Sequence, residues 1–231
     1  MKTLVSLFSS KIWDRLWLAA GILAIIVSSI LTFEGFSLLF FTSLIGSILG
    51  LIIVLAMANL KGKFGSGLGV IGACFDGFNN FSYGIMAQFL MAIYAGATYL
   101  IGFFTLNKKI RVTSANFNNV LISSFVGVLG IIILYFFGFS IIPLDTPNWI
   151  FYITVVAFIL QVVAQYLLIS GKAASWYLWI AANVLNIIVY SGLYFLQLEP
   201  QAVFYLIMTI MYLLNSIKAV FVWLYTGDDN L

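Results

Sequence analysis

Residues 173–198 read AASWYLWIAANVLNIIVYSGLYFLQL, bounded by Lys172 and Glu199, with no charged residue between them. A helix needs about 20 apolar residues to cross a bilayer, so this stretch reads as a membrane span. Working outward, apolar runs separated by short polar breaks predict eight such helices, at about 16–33, 36–60, 65–81, 83–105, 117–141, 149–170, 176–195 and 202–225. The whole chain agrees: of 231 residues 64% are hydrophobic and 7% charged, whereas a soluble domain carries about 25% charged residues. The expected fold is an all-α integral membrane protein, since a spanning backbone must pair its own N–H and C=O groups. The long unbroken apolar runs do not fit a β-barrel. With no His and only Cys74, the commonest catalytic base, a Cys-rich metal site and an internal disulfide are all missing. No cofactor is expected.

The positions of the basic residues test the count of spans. Lys2, Lys11 and Arg15 precede helix one, and Lys61 and Lys63 follow helix two. Lys108, Lys109 and Arg111 follow helix four, Lys172 follows helix six, and Lys218 lies near the end of helix eight. An even number of spans and a cytoplasmic N-terminus put all of them on the cytoplasmic side, as the positive-inside rule requires. Glu34, Asp145 and Glu199 fall in the opposite loops, Asp76 lies in helix three towards them, and Asp14, Asp228 and Asp229 are the cytoplasmic exceptions. A multi-pass protein of the bacterial inner membrane, with both termini cytoplasmic, is expected. Helix one is long for a signal sequence and lacks an A-x-A-like cleavage site, so it is read as retained. The apolar residues before Lys11 suit the inner interface.

Helices two to four and six to eight form like-oriented triplets, each with a basic inner loop, and helix five returns the chain between them. The expected organisation is an N-terminal segment with helix one (1–33), a first three-helix bundle (36–105), a linker helix (117–141) and a second bundle (149–225). Such a 3-1-3 parallel repeat is a transporter architecture, with substrate bound near the midplane between the halves. Gly46-x-x-x-Gly50 and Gly65-x-x-x-Gly69 suit close helix packing. Gly67-x-Gly69-x-x-Gly72 also matches a dinucleotide fingerprint, but no strand precedes it, and it is read as a decoy.

Amides at membrane depth need partners and usually face a bundle interior or a cavity. In helix seven, Trp176, Trp179, Asn183 and Asn186 fall at i, i+3, i+7 and i+10, one stripe extended by Tyr190. The indole faces can stack on a flat or cationic ring while the amides donate and accept. Gln161 and Gln165 on helix six, Tyr212 and Asn215 on helix eight, and Gln88, Tyr94 and Thr98 on helix four offer similar groups. Asn79 and Asn80 are placed to line an entrance. The bland alternative is that these amides only pin helices together. No carboxylate is expected at mid-membrane depth, and no buried Lys or Arg is expected to bind a phosphate. Uncoupled, facilitated transport follows from the first expectation and exclusion of phosphorylated substrates from the second.

Trp176-x-x-Trp179-x-x-x-Asn183, the preceding Leu144-Asp145 with the amide-bearing helix of Gln161 and Gln165, and the 3-1-3 layout resemble the PnuC family of bacterial nicotinamide riboside transporters. The resemblance covers roughly residues 36–225. It implies a fold like a full-length SWEET sugar transporter, a homotrimer, and facilitated uptake with the substrate retained by phosphorylation inside the cell. Trp176, Trp179 and Asn183 match the family element by position; Asn186, Gln88, Gln161, Gln165, Tyr212 and Asn215 are added from their spacing and depth. Ser175 stands where family members often carry an acid. The partners expected are the lipid bilayer and nicotinamide riboside, with no nucleic acid. The riboside's pyridinium suits the indoles, and its carboxamide and hydroxyls suit the amides. Thiamine, riboflavin or a sugar on the same fold, or a non-transporting accessory subunit, are the alternatives. An enzyme is not expected, because no nucleophile–base pair, metal cluster or acidic dyad shares one depth.

Overall fold

Away from water a chain satisfies its backbone only by coiling or by closing a barrel, and each apolar run is a helix. The computed structural model describes residues 6–8, 10–31, 33, 35–82, 86–114, 116–136, 147–196 and 202–227. Among these, eight helices of twenty residues or more follow in order: α1 (Lys11–Leu31), α2 (Leu38–Ala58), α3 (Gly62–Ser82), α4 (Met86–Thr105), α5 (Phe117–Phe136), α6 (Asn148–Ile169), α7 (Ala174–Phe195) and α8 (Ala202–Gly227). Glu34, Asp145, Glu199, Asp228, Asp229, Lys2, Leu144 and residues 137–141 of the expected fifth helix lie outside the described residues.

The start of the first helix is corrected. It begins at Lys11 rather than near residue 16, because the Ser10 hydroxyl accepts from the Trp13 N–H at 3.1 Å and caps it there. Among the described residues, six helices are long and apolar enough to cross a membrane: α1, α2, α4, α6, α7 and α8. Within α5 the apolar helix is the shorter Phe117–Ile132. Helix α3 is 21 residues long but carries Lys63, Asp76, Asn79 and Asn80 among six glycines. Its composition is explained by its place, since it packs between α2 and α4 and turns polar groups inward.

Sequential packing runs α2–α3–α4 and α6–α7–α8. The two triplets meet at two seams, α4 against α6 and α8 against α2, so six helices close a ring. Helix α5 lies against α6 and α4, as α1 lies against α8 and α2. Glycines make the approaches close: a Cβ on Gly50 would collide with the Tyr212 hydroxyl of α8, and one on Gly69 with the Tyr99 ring of α4. The supposed dinucleotide fingerprint is therefore helix-packing surface inside α3.

At one end the basic loops interlock. Helix α6 ends in a Schellman motif: Gly171 is left-handed (φ 69°), its N–H reaches Leu168 O at 3.1 Å, and Lys172 N–H reaches Leu167 O at 2.8 Å. Helix α2 ends the same way, with Leu60 left-handed (φ 60°), Leu60 N–H on Met57 O at 3.0 Å and Lys61 N–H on Ala56 O at 2.9 Å. The segment after α4 straps the two caps together, Ile110 N–H donating to Leu60 O (2.8 Å) and Thr113 N–H to Gly171 O (2.9 Å). Lys61, Lys63, Lys108, Lys109, Arg111 and Lys172 thus share one end of the molecule, hereafter the basic end.

Lys218 overturns one expectation, because it is a fully buried base. Its ammonium pairs with Asp14 of α1 and donates to Asn59 Oδ1 at 2.9 Å, and Asn59 Nδ2 donates to Asp14 Oδ2 at 2.8 Å. Asp14, an exception in the charge pattern, is the partner that makes this burial possible. The Trp17 indole N–H on Met211 O (3.2 Å) and the Trp223 indole N–H on Met57 O (3.1 Å) fasten α1 to α8 and α8 to α2.

Candidate functional site

The ring encloses a cavity of about 270 Å³ lined by all six of its helices and by neither α1 nor α5. Concave sites of this scale hold small molecules, and their few polar groups set orientation. Along α7 the expected stripe faces it: Trp176, Trp179, Asn183, Asn186 and Tyr190 all line the cavity. At 1.5 Å per residue they span about 21 Å of depth. A 3.6-residue period carries these side chains inward, while Tyr177 and Val184 of the same helix point outward and are exposed.

Several of the lining groups are held by a neighbour. Trp176 is 3% exposed and packs edge-to-face on Trp223, with ring centroids 5.6 Å apart at 76°. Asn183 Nδ2 donates to the Ser216 hydroxyl at 3.3 Å, and that hydroxyl donates to Tyr212 O at 2.8 Å. Gln165 Nε2 donates to Thr98 Oγ1 at 3.1 Å, which ties α6 to α4 across the seam. Near the other end Tyr190 and Tyr205 stack, centroids 5.4 Å apart at 26°. Two buried polar atoms of lining residues have no hydrogen-bond partner: Gln161 Oε1 and Trp176 Nε1. In native proteins such groups are normally paired, and both lie beneath the cavity surface.

Of the nine residues expected from sequence, eight line the cavity: Trp176, Trp179, Asn183, Asn186, Gln88, Gln161, Gln165 and Tyr212. Asn215 is not among the lining residues; it is 1% exposed and its Nδ2 donates to Val54 O at 2.9 Å, a contact between α8 and α2. Gln88 lies about 26 Å above Thr105 along α4, whereas Asn183 lies about 14 Å above Ala174 along α7. Gln88 is therefore near the far mouth and not level with the central amides. Tyr94 packs in an apolar cluster with Met91, Phe158 and Val162. Of the entrance pair, Asn80 lines the cavity, and Asn79 accepts from Thr42 Oγ1 at 2.7 Å to join α2 to α3. Asp76, expected as the deepest acid about two turns from the outer face, lines the same cavity. An ionisable group inside a long helix of a membrane protein was the available signal. Ser47, Tyr99, Tyr205, Thr209 and Ser216 were also missed, since their inward direction depends on how α2, α4 and α8 are rotated.

The geometry is that of a substrate chamber between two three-helix groups. The family model described as nicotinamide mononucleotide transporter matches residues 40–225. A solved structure, the crystal structure of the vitamin B3 transporter PnuC, superposes with a TM-score of 0.70 at 17% identity, covering 95% of this chain and 93% of that one. At this identity the likeness shows the fold. No curated protein matches the chain at a significant level. The match over residues 40–225 spans the whole helical ring, and the chain belongs to the nicotinamide mononucleotide transporter (PnuC) family: it is a multi-pass membrane transporter and not an enzyme.

Proposed function

We propose that this transporter carries nicotinamide riboside by facilitated diffusion, binding it against the α7 stripe. The carrying observation is the cavity itself, where Trp176, Trp179, Asn183 and Asn186 share the wall with Gln161 and Gln165 of the neighbouring α6. An indole face takes a pyridinium, and the amides take a carboxamide and ribose hydroxyls. The family description names the mononucleotide, but no Lys or Arg lines this cavity, and a phosphate there would lack the charge-assisted partners it needs. A proton or sodium relay through a membrane uses chains of ionisable groups, and the lining offers a single carboxylate.

The two triplets are the moving halves in this reading, eight helices span, and access alternates by rocking at the α4–α6 and α8–α2 seams. The convergence of the basic loops at one end supports cytoplasmic termini in the bacterial inner membrane. The SWEET-like fold and homotrimer rest on the family resemblance. Calorimetry on the purified protein tests the substrate, with the riboside expected to bind, the mononucleotide at least about tenfold more weakly, and thiamine and riboflavin as competitors. Mononucleotide binding as tight as riboside binding overturns the reading. Uptake into proteoliposomes is expected to persist when proton and sodium gradients are collapsed.

A further inference from the structure

Asp76 has no role in the stripe, yet it is the sole carboxylate among the lining residues of the cavity, which include no Lys or Arg. It is exposed to the chamber, although its helix is packed on both sides. Among the described residues it makes no hydrogen bond and no ion pair, and Tyr99 and Tyr212 line the same cavity. Along α3 it stands about 21 Å above Gly62, and Asn186 stands about 18 Å above Ala174 on α7, so carboxylate and amide share a level. Lys218, the buried base, spends its charge on Asp14 at the basic end.

We infer that the Asp76 carboxylate, ionised against a bound cation, makes this chamber selective for a singly cationic ligand over a neutral isostere. The inference rests on the proposed riboside site, whose ligand carries one delocalised positive charge. Contact is not required. A unit charge about 10 Å away, through an effective dielectric of about 20, biases a monocation over a neutral analogue by roughly tenfold or more. The indole faces of Trp176 and Trp179 favour the same sign of charge. The same field opposes a phosphate, which adds repulsion to the lack of a basic partner.

The test compares dissociation constants of nicotinamide riboside and its uncharged dihydropyridine form for the wild-type protein, Asp76→Asn and Asp76→Glu. Wild type is expected to prefer the cation by about tenfold or more, Asp76→Asn to lose most of that ratio, and Asp76→Glu to restore it. An equal loss of both ligands in Asp76→Asn would mark a merely structural carboxylate, and an unchanged ratio would remove Asp76 from selectivity. Either result overturns the inference, as does a wild-type protein that binds both forms alike or binds no cation. Thiamine and its uncharged deaza analogue form a second pair. If neither riboside form binds but the thiamine pair shows a preference that Asp76→Asn removes, the riboside reading fails and the counter-charge stands.

Discussion

Trp179 and Asn215 look alike in sequence, each a polar-tipped side chain at membrane depth, and the structure separates them. Trp179 is half-buried on the cavity wall, so Trp179→Ala is expected to weaken riboside binding by about tenfold or more while moving the melting temperature little. Asn215 bonds across a helix seam, and its Oδ1 already lacks a partner. Its removal deletes one useful hydrogen bond together with one unsatisfied acceptor. Asn215→Ala is therefore expected to cost only about 1 kcal/mol of stability and to leave the dissociation constant unchanged. Calorimetry and thermal unfolding of the two variants in detergent check the contrast. Spacing alone placed eight of the nine residues on the cavity because a helical stripe is a local property. It misplaced Asn215 because the facing backbone, Val54 O, comes from 161 residues away.

At the scale of elements, the paired caps carry the argument. Gly171 and Leu60 occupy the same left-handed position after α6 and α2, and both carbonyls accept from the strap at 110–113. A Cβ on Gly171 would meet Arg111 O at 2.7 Å and would sit on a backbone that disfavours it. Gly171→Ala is expected to cost about 1–3 kcal/mol, read as a lower melting temperature. Leu60 bears the same backbone cost but is 3% exposed in the apolar cluster with Met57 and Trp223. Burial of a leucine is worth about 1.5–3 kcal/mol, against about 1–2 kcal/mol of left-handed strain, and Leu60 is almost fully buried. Leu60→Gly is thus expected to destabilise rather than relieve. From sequence the basic inner loops were legible, but Leu60 conceals its cap, since a non-glycine residue signals a left-handed turn only through tertiary packing.

Across the whole molecule, one buried network joins α1 to the ring. Asp14 is partly exposed, so water can solvate it if Lys218 is removed; Lys218 has no exposure and, among the described residues, no second anion paired with it. Removing one partner of a buried pair costs about 3–5 kcal/mol when the other is left uncompensated. Asp14→Asn is therefore expected to destabilise the protein more than Lys218→Met, whose long apolar side chain still fills the space. Thermal unfolding of both single variants and the double variant measures the coupling, and equal losses from the two singles would contradict the asymmetry.

The sequence by itself determined the membrane class, the helices and their order, the common end of the basic loops and the indole-and-amide stripe of α7. These depend on hydropathy, charge and a 3.6-residue period, all of which act within one segment. Only the tertiary structure decided that α3 is an inward-facing helix in spite of its polarity, that Asp76 enters the chamber, that Lys218 is buried against Asp14, and that α4–α6 and α8–α2 are the seams. Those outcomes depend on the rotation of each helix about its axis and on partners far away in the chain. A helix's own sequence does not contain that information, because the solvent it avoids and the neighbour it meets are set by the other seven.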